Sequence, residues 1–125
     1  MAGSKARAQL GVGVDIEEVT RFTKRSSRAF KLFLKRLFTD QELTYCFERT
    51  RTAEHLAARF AAKEAIIKAL AILGFAPPDY QQIEIRMNGK LPTVCLYDSS
   101  LKPYRVLISL SHTRTLAMAF AVITA

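Results

Sequence analysis

Glu64 and Lys68 stand four residues apart in the run Arg59-Phe60-Ala61-Ala62-Lys63-Glu64-Ala65-Ile66-Ile67-Lys68, and Arg59 and Lys63 form a second such pair beside them. On a helix each pair shares one face. The Ala, Ile and Phe around them are residues that bury, and a charge among such neighbours is costly unless something pairs with it. A Glu64–Lys68 pair on a solvated helix face meets that demand locally and is worth only about 0.3 kcal/mol. A second carboxylate widens the choice. The upstream segment Leu10 to Ile16 alternates apolar with small residues and carries Asp15 near its end, with Glu17 two residues on and on the same side of an extended chain. Asp15 and Glu64, with Glu17 as a third candidate, are the oxygen ligands a hard cation takes: Mg²⁺ first, Mn²⁺ as the alternative. Arg59, Lys63, Lys68 and His112 supply positive charge, which together with a cation makes the parts of a phosphoryl-transfer site. Spacing alone does not bring Asp15 to Glu64, and two acids on separate elements often serve separate purposes.

A second feature is cationic. Arg21, Lys24, Arg25, Arg28, Lys31, Lys35 and Arg36 interleave with Phe22, Phe30, Phe33, Leu34 and Leu37, and no acid occurs between Glu18 and Asp40. The spacing predicts an amphipathic helix over 21–36 with a basic outer face. Solvated faces usually mix signs, so this face reads as a docking surface for an acidic partner. The formal net charge of +8 points the same way, towards a polyanion.

The elements that must position these residues follow from local signals. Leu10–Ile16 reads as a buried strand. Thr39-Asp40-Gln41-Glu42 is a capping box with Phe38 placed for a hydrophobic staple, opening a short helix that runs through Phe47. Thr52 precedes a helix from Ala53 to about Leu73, stopped by Gly74 and the Pro77-Pro78 pair. Beyond Tyr80 the period changes to two: Ile83–Met87 and Thr93–Tyr97 flank a turn with an Asn88-Gly89 core, and Arg105–Ser111 and Leu116–Ile123 flank His112-Thr113-Arg114. One strand, then helices, then four strands in a meander predicts an α+β domain with a mainly antiparallel sheet packed on helices. Residues 10–125 read as one domain and 1–9 as a flexible extension, since 125 residues that are 50% hydrophobic suffice for a single core.

The residues then carry a resemblance. Gly11-Val12-Gly13-Val14-Asp15-Ile16, Arg21-Phe22, Phe38-Thr39 with Glu42 and Tyr45-Cys46, Ala58 to Ala65 with Lys68-Ala69, and Ser109-Leu110-Ser111-His112 resemble, in order and spacing, the holo-[acyl-carrier-protein] synthase family of 4′-phosphopantetheinyl transferases. The resemblance implies transfer of the phosphopantetheine arm of coenzyme A to a serine of an apo acyl carrier protein, with release of adenosine 3′,5′-bisphosphate. It implies that Asp15 and Glu64 hold Mg²⁺ against the diphosphate and that Lys68 stabilises or protonates the leaving phosphate. Arg59, Lys63 and His112 would contact the coenzyme, and Arg21, Lys24, Arg25 and Arg28 would meet an acidic helix of the carrier protein. Because the attacking serine belongs to the partner, its proton must pass to Glu64 or to a water on the metal. The resemblance further implies a homotrimer with sites shared between subunits, serving fatty-acid or polyketide biosynthesis. Ala71-Ile72-Leu73-Gly74 departs from the family's glycine-rich turn, and Leu91 is an extra residue in its Gly-Lys-Pro turn.

Other classes fit less well. A nucleic-acid module would use the basic face, but the chain has no Trp, no aromatic-rich basic strand and no zinc motif. A non-catalytic adaptor for acidic helices leaves Asp15 and Glu64 without a purpose. No apolar run is long enough to span a bilayer, no apolar stretch follows the basic N-terminus as a secretion signal needs, and Cys46 and Cys95 lack metal-ligand spacing. A cytoplasmic protein with reduced thiols is the expectation.

Overall fold

Two glycines on one side of the first strand set the packing of the whole chain. The computed structural model describes residues 9–23 and 27–125; most of the expected N-terminal extension, and the expected docking residues Lys24 and Arg25, lie outside the described residues. Strand β1 (Leu10–Glu18) turns Gly11, Gly13, Asp15 and Glu17 to one side and Leu10, Val12, Val14 and Ile16 to the other. The glycine side lies on helix α3 (Thr52–Ile72). A Cβ at Gly13 would sit 1.9 Å from the carbonyl oxygen of Ala65, and one at Gly11 would sit 2.3 Å from that of Ala69. Only a residue without a side chain permits that approach.

Between these elements come a 3₁₀ turn (Val19–Phe22), α1 (Arg28–Leu37) and α2 (Asp40–Phe47). The expected basic helix over 21–36 is therefore corrected: Arg21 belongs to the 3₁₀ turn, and the continuous helix begins at Arg28 behind Ser27, whose hydroxyl caps the backbone N–H of Phe30 at 3.1 Å. Arg28, Lys31, Lys35 and Arg36 face outward, while Leu34 and Leu37 pack inward with Phe22, Phe38 and Phe60. Phe22 anchors this aromatic cluster, its ring centroid 5.7 Å from that of Phe60 and 6.0 Å from that of Phe33. Burial of that one ring stabilises the fold by about 2 kcal/mol.

The capping box forms as expected: Glu42 N–H donates to Thr39 Oγ1 at 3.2 Å, and Thr39 N–H to Glu42 Oε1 at 2.8 Å. Helix α3 is buried nearly all round, its alanines allowing strands on one side and α2 on the other. Its N-cap is Arg51; Thr52, expected to precede the helix, lies in its first turn. The helix ends in a Schellman arrangement: Phe75 N–H reaches Leu70 O at 2.9 Å, Gly74 N–H reaches Ala71 O at 3.0 Å, and Gly74 takes φ 95°.

The C-terminal half is antiparallel throughout but does not form one meander. β2 (Ile83–Asn88) and β3 (Leu91–Leu96) make a two-stranded sheet, whereas β4 (Arg105–His112) and β5 (Leu116–Thr124) join β1 in a three-stranded sheet ordered β1-β5-β4. The 3₁₀ turn Ser99–Leu101, pinned by buried Leu101, carries the chain from one sheet to the other. The first hairpin loop is only Gly89-Lys90, since Asn88 pairs with Leu91, and Gly89 takes φ 66°. On the three-stranded sheet, the side away from α3 is open and apolar along β1 and β5, with Val12 at 41% exposed, Ile16 at 58% and Val14, Leu116, Met118 and Phe120 between, while β4 adds Leu107 among Arg105, Ser109 and Ser111.

Gly13→Ala is expected to lower unfolding free energy by about 3 kcal/mol or more, because the clash is with backbone. Gly89→Ala, which meets no atom, should cost only about 1 kcal/mol for its left-handed φ. Urea denaturation of the two variants checks the ranking.

Candidate active site

Strand and helix together decide which charges meet. Because β1 persists to Glu18, Asp15 and Glu17 stay on the helix-facing side, next in line after Gly13, which touches Ala65. Glu64 precedes Ala65, and Lys68, four residues further, reaches back to β1, where Nζ donates to Val14 O at 2.9 Å and to Asp15 Oδ1 at 3.2 Å. An ammonium has three N–H donors, so one remains for a ligand. Asp15 Oδ2 is buried with no N–H or hydroxyl donor paired to it among the described residues, and the Glu17 carboxyl lies within hydrogen-bonding reach of the Asp15 carboxylate. A buried carboxylate oxygen left unpaired is costly, and a divalent cation removes that cost. Asp15 and Glu64 thus fit Mg²⁺ or Mn²⁺ as an incomplete oxygen set that leaves room for waters and phosphate.

Glu17 stands beside Asp15 on the same side of β1. Its Oε1 is bound by Arg21 Nη1 at 3.0 Å, and no group of three acidic, His or Cys side chains able to hold a metal exists among the described residues. As a possible third ligand it already has a cation of its own in Arg21. Burial, and then the neighbouring Asp15, push the Glu17 carboxyl up to about 7, with Arg21 opposing them. Arg21 also lies over the Phe60 ring at 5.1 Å, which joins the first basic residue of the expected docking face to the rim of the acidic cluster. Tyr80 completes this side, its hydroxyl donating to Glu64 Oε1 at 3.1 Å. Burial and then the Glu64 charge raise the Tyr80 hydroxyl above its ordinary value, which keeps it a donor. Glu64 lies on the wall of a cleft of ≈ 670 Å³ whose other walls include Lys35, Arg36, Ile67 and Pro78.

Lys63 is elsewhere. The expectation that it touches the coenzyme is corrected by its complete burial: Nζ donates to Glu42 Oε1 at 2.7 Å, Leu37 O at 2.8 Å and Tyr80 O at 2.9 Å. Glu42 in turn accepts from Ile85 N–H at 2.7 Å. Desolvation lowers the Lys63 pKa while Glu42 supports its charge. The adjacent residues Lys63 and Glu64 point about 100° apart on the helix, one into the core and one towards the cleft.

Arg59 and His112 form a second cluster. Arg59 precedes Glu64 by five residues, about 140° round the helix, and its guanidinium lies 4.1 Å from the Tyr45 ring centroid, beside that of Arg49 at 3.9 Å. Arg59 Nε is buried without a partner among the described residues, and Nη1 donates to His55 O at 3.4 Å. His112 Nδ1 lies 3.0 Å from Glu54 Oε1, and its ring centroid is 5.9 Å from that of His55. Burial, and then Arg59, lower the pKa of His55. Tyr45, His55, Arg59 and His112 line a separate cleft of ≈ 400 Å³ with Lys90 and Ser109. Within one chain, therefore, Arg59 and His112 line a different cleft from the one that Glu64 walls. Arg49, Glu54, His55 and Tyr80 join these clusters without belonging to any motif in the sequence. His55 carried a signal, being four residues before Arg59 on the same face; Tyr80, in a loop, carried none.

Two variants test these assignments. Lys63→Met should cost about 3 kcal/mol of stability in urea denaturation by leaving Glu42 buried and unpaired, while per folded molecule coenzyme affinity stays unchanged. Between about pH 4.5 and 7 folded Glu17 keeps a proton that the unfolded chain has released, so this group's stabilisation is complete below that window and lost as pH rises through it. Melts in chelator should show the loss, and Glu17→Gln should remove that part of the pH dependence.

Comparison with known proteins accords with this geometry. The family model described as the 4′-phosphopantetheinyl transferase superfamily matches residues 11–121. A holo-[acyl-carrier-protein] synthase of Chlamydia trachomatis is 41% identical over 115 residues, covering 90% of this chain and 97% of the relative. Another from Moorella thermoacetica is 41% identical over 121 residues, covering 91% and 93%. Among solved structures, the Helicobacter pylori holo-[acyl-carrier-protein] synthase in complex with coenzyme A superposes with a TM-score of 0.77 at 26% identity, covering 90% of this chain and 99% of that one. The Bacillus anthracis synthase, in complex with CoA (3′,5′-ADP), gives 0.72 at 30% identity, covering 92% and 96%. With its glycine-lined strand, paired acids and Lys68 in the matched region, the chain belongs to the 4′-phosphopantetheinyl transferase superfamily and, within it, to the holo-[acyl-carrier-protein] synthases.

Proposed function

We propose that this chain transfers 4′-phosphopantetheine from coenzyme A to a serine hydroxyl of an apo acyl carrier protein, in a Mg²⁺-dependent reaction within the cytoplasm. The observation that carries the reading is Asp15 Oδ2, buried and without a paired donor among the described residues, in a carboxylate bound by Lys68, which shares a helix face with Glu64. Asp15 and Glu64 would hold the cation, which when bound offsets the charge of the diphosphate. Lys68, oriented by Val14 O and Asp15, turns its remaining N–H to the leaving phosphate. The serine oxygen forms the new bond to phosphorus as the diphosphate P–O bond breaks, adenosine 3′,5′-bisphosphate departs, and the serine proton passes to Glu64 or to water in the cleft. Arg59 and His112 suit the 3′-phosphate and nucleotide: a buried guanidinium with an unpaired N–H favours an anion.

Because the two clusters occupy different sides of one chain, the reading includes a homotrimer in which one subunit's Asp15 and Glu64 face a neighbour's Arg59 and His112. The open apolar side of the three-stranded sheet supports it, since a contiguous patch of that kind calls for a protein partner. Arg21 and Arg28, exposed near the acidic cluster and at the start of α1, would receive the acidic carrier protein, chiefly raising its association rate.

Incubation of the protein with apo carrier protein, coenzyme A and Mg²⁺ should add one phosphopantetheine by intact mass, and a chelator should stop it. Glu64→Gln should reduce turnover at least about a hundredfold, and Arg28→Glu should raise KM for the carrier about tenfold with KM for coenzyme A unchanged. No mass gain with wild-type protein and two unrelated carriers sinks the reading.

A further inference from the structure

Glu64 is held by a residue outside every motif read in the sequence. Tyr80, in the 3₁₀ turn Tyr80–Gln82, donates its hydroxyl to Glu64 Oε1 at 3.1 Å, and Glu64 Oε2 has no protein partner among the described residues. A loop tyrosine ordinarily loses rotamer freedom in making such a contact, but this one is fixed independently. Its ring packs on Phe60 with centroids 5.4 Å apart. Its main-chain oxygen accepts from the buried Lys63 ammonium at 2.9 Å, and Lys63 is itself fixed by Glu42 and Leu37 O. On the other side of the turn, Gln81 Nε2 donates to Lys35 O and to Phe38 O. The turn is thus tied to α3, to α1 and to the start of α2.

We propose that Tyr80 is a positioning residue that fixes the rotamer of Glu64, so that one carboxylate oxygen is occupied and the other is left for the cation. The inference rests on the assignment of Glu64 as a ligand, and it gives Lys63 a part in the site: Lys63 sets the Tyr80 main chain, and the Tyr80 hydroxyl sets Glu64. Partners that orient a metal ligand are commonly worth ten- to a hundredfold in affinity or turnover.

Tyr80→Phe keeps the ring on Phe60 and the carbonyl for Lys63 and removes only the hydroxyl. Mn²⁺ affinity, read by electron paramagnetic resonance, and kcat should each fall about tenfold, while KM for coenzyme A stays within about twofold and the melting temperature is unchanged. Mn²⁺ binding indistinguishable between the variant and the wild type overturns the proposal, as does a loss of kcat that only tracks a lower folded fraction. If the wild-type chain modifies no carrier protein, the transferase reading fails, but the Mn²⁺ comparison still decides the role of Tyr80.

Discussion

The close approach of β1 to α3 is the constraint on which the rest of the structure depends. Gly13 and Gly11 let the strand lie against the carbonyls of Ala65 and Ala69, at distances that no side chain tolerates. The strand's next two helix-facing positions are Asp15 and Glu17, so the contact that makes the core also delivers the acids to the turn of α3 that bears Glu64. Lys68 closes the join by bonding both the main chain and the side chain of β1. Any residue that lifted the strand away would separate the acids as well as open the core.

A buried ion pair organises the other side of α3. Replacing such a pair by apolar residues is often neutral, because desolvation offsets much of the attraction. Here every polar atom is used: Lys63 donates to three oxygens, and Glu42 accepts from Thr39, Ile85 and Lys63. The pair therefore defines where α1, α2, β2 and the Tyr80 turn sit around the helix, a gain in specificity more than in stability. Its neighbour in sequence, Glu64, takes its place from that arrangement through Tyr80.

The remaining chemistry is divided. Cations suited to a phosphate gather round Tyr45, while the acids gather on β1, and one α3 helix separates them. An exposed apolar sheet on a chain with so complete a core is the kind of surface a second copy covers. On the proposed assembly each chain would carry two half-sites, each completed by a neighbour.

What the sequence by itself determined were features whose partners lie a few residues apart. The Thr39–Glu42 capping box, the stop at Gly74, the two hairpins, and the shared face of Glu64 and Lys68 all follow from local periodicity and turn chemistry, and the ordered motifs named the family. Extended pattern was less secure: the basic spacing over 21–36 suggested one helix where the chain first forms a separate 3₁₀ turn. Only the tertiary structure decided that Lys63 is buried in the core while Glu64 faces a cleft, that the strands divide between two sheets, and that Tyr80 reaches the acid. Two charges adjacent on a helix look alike in sequence; which is buried depends on what folds over each side, and that is set by strands and loops far away along the chain.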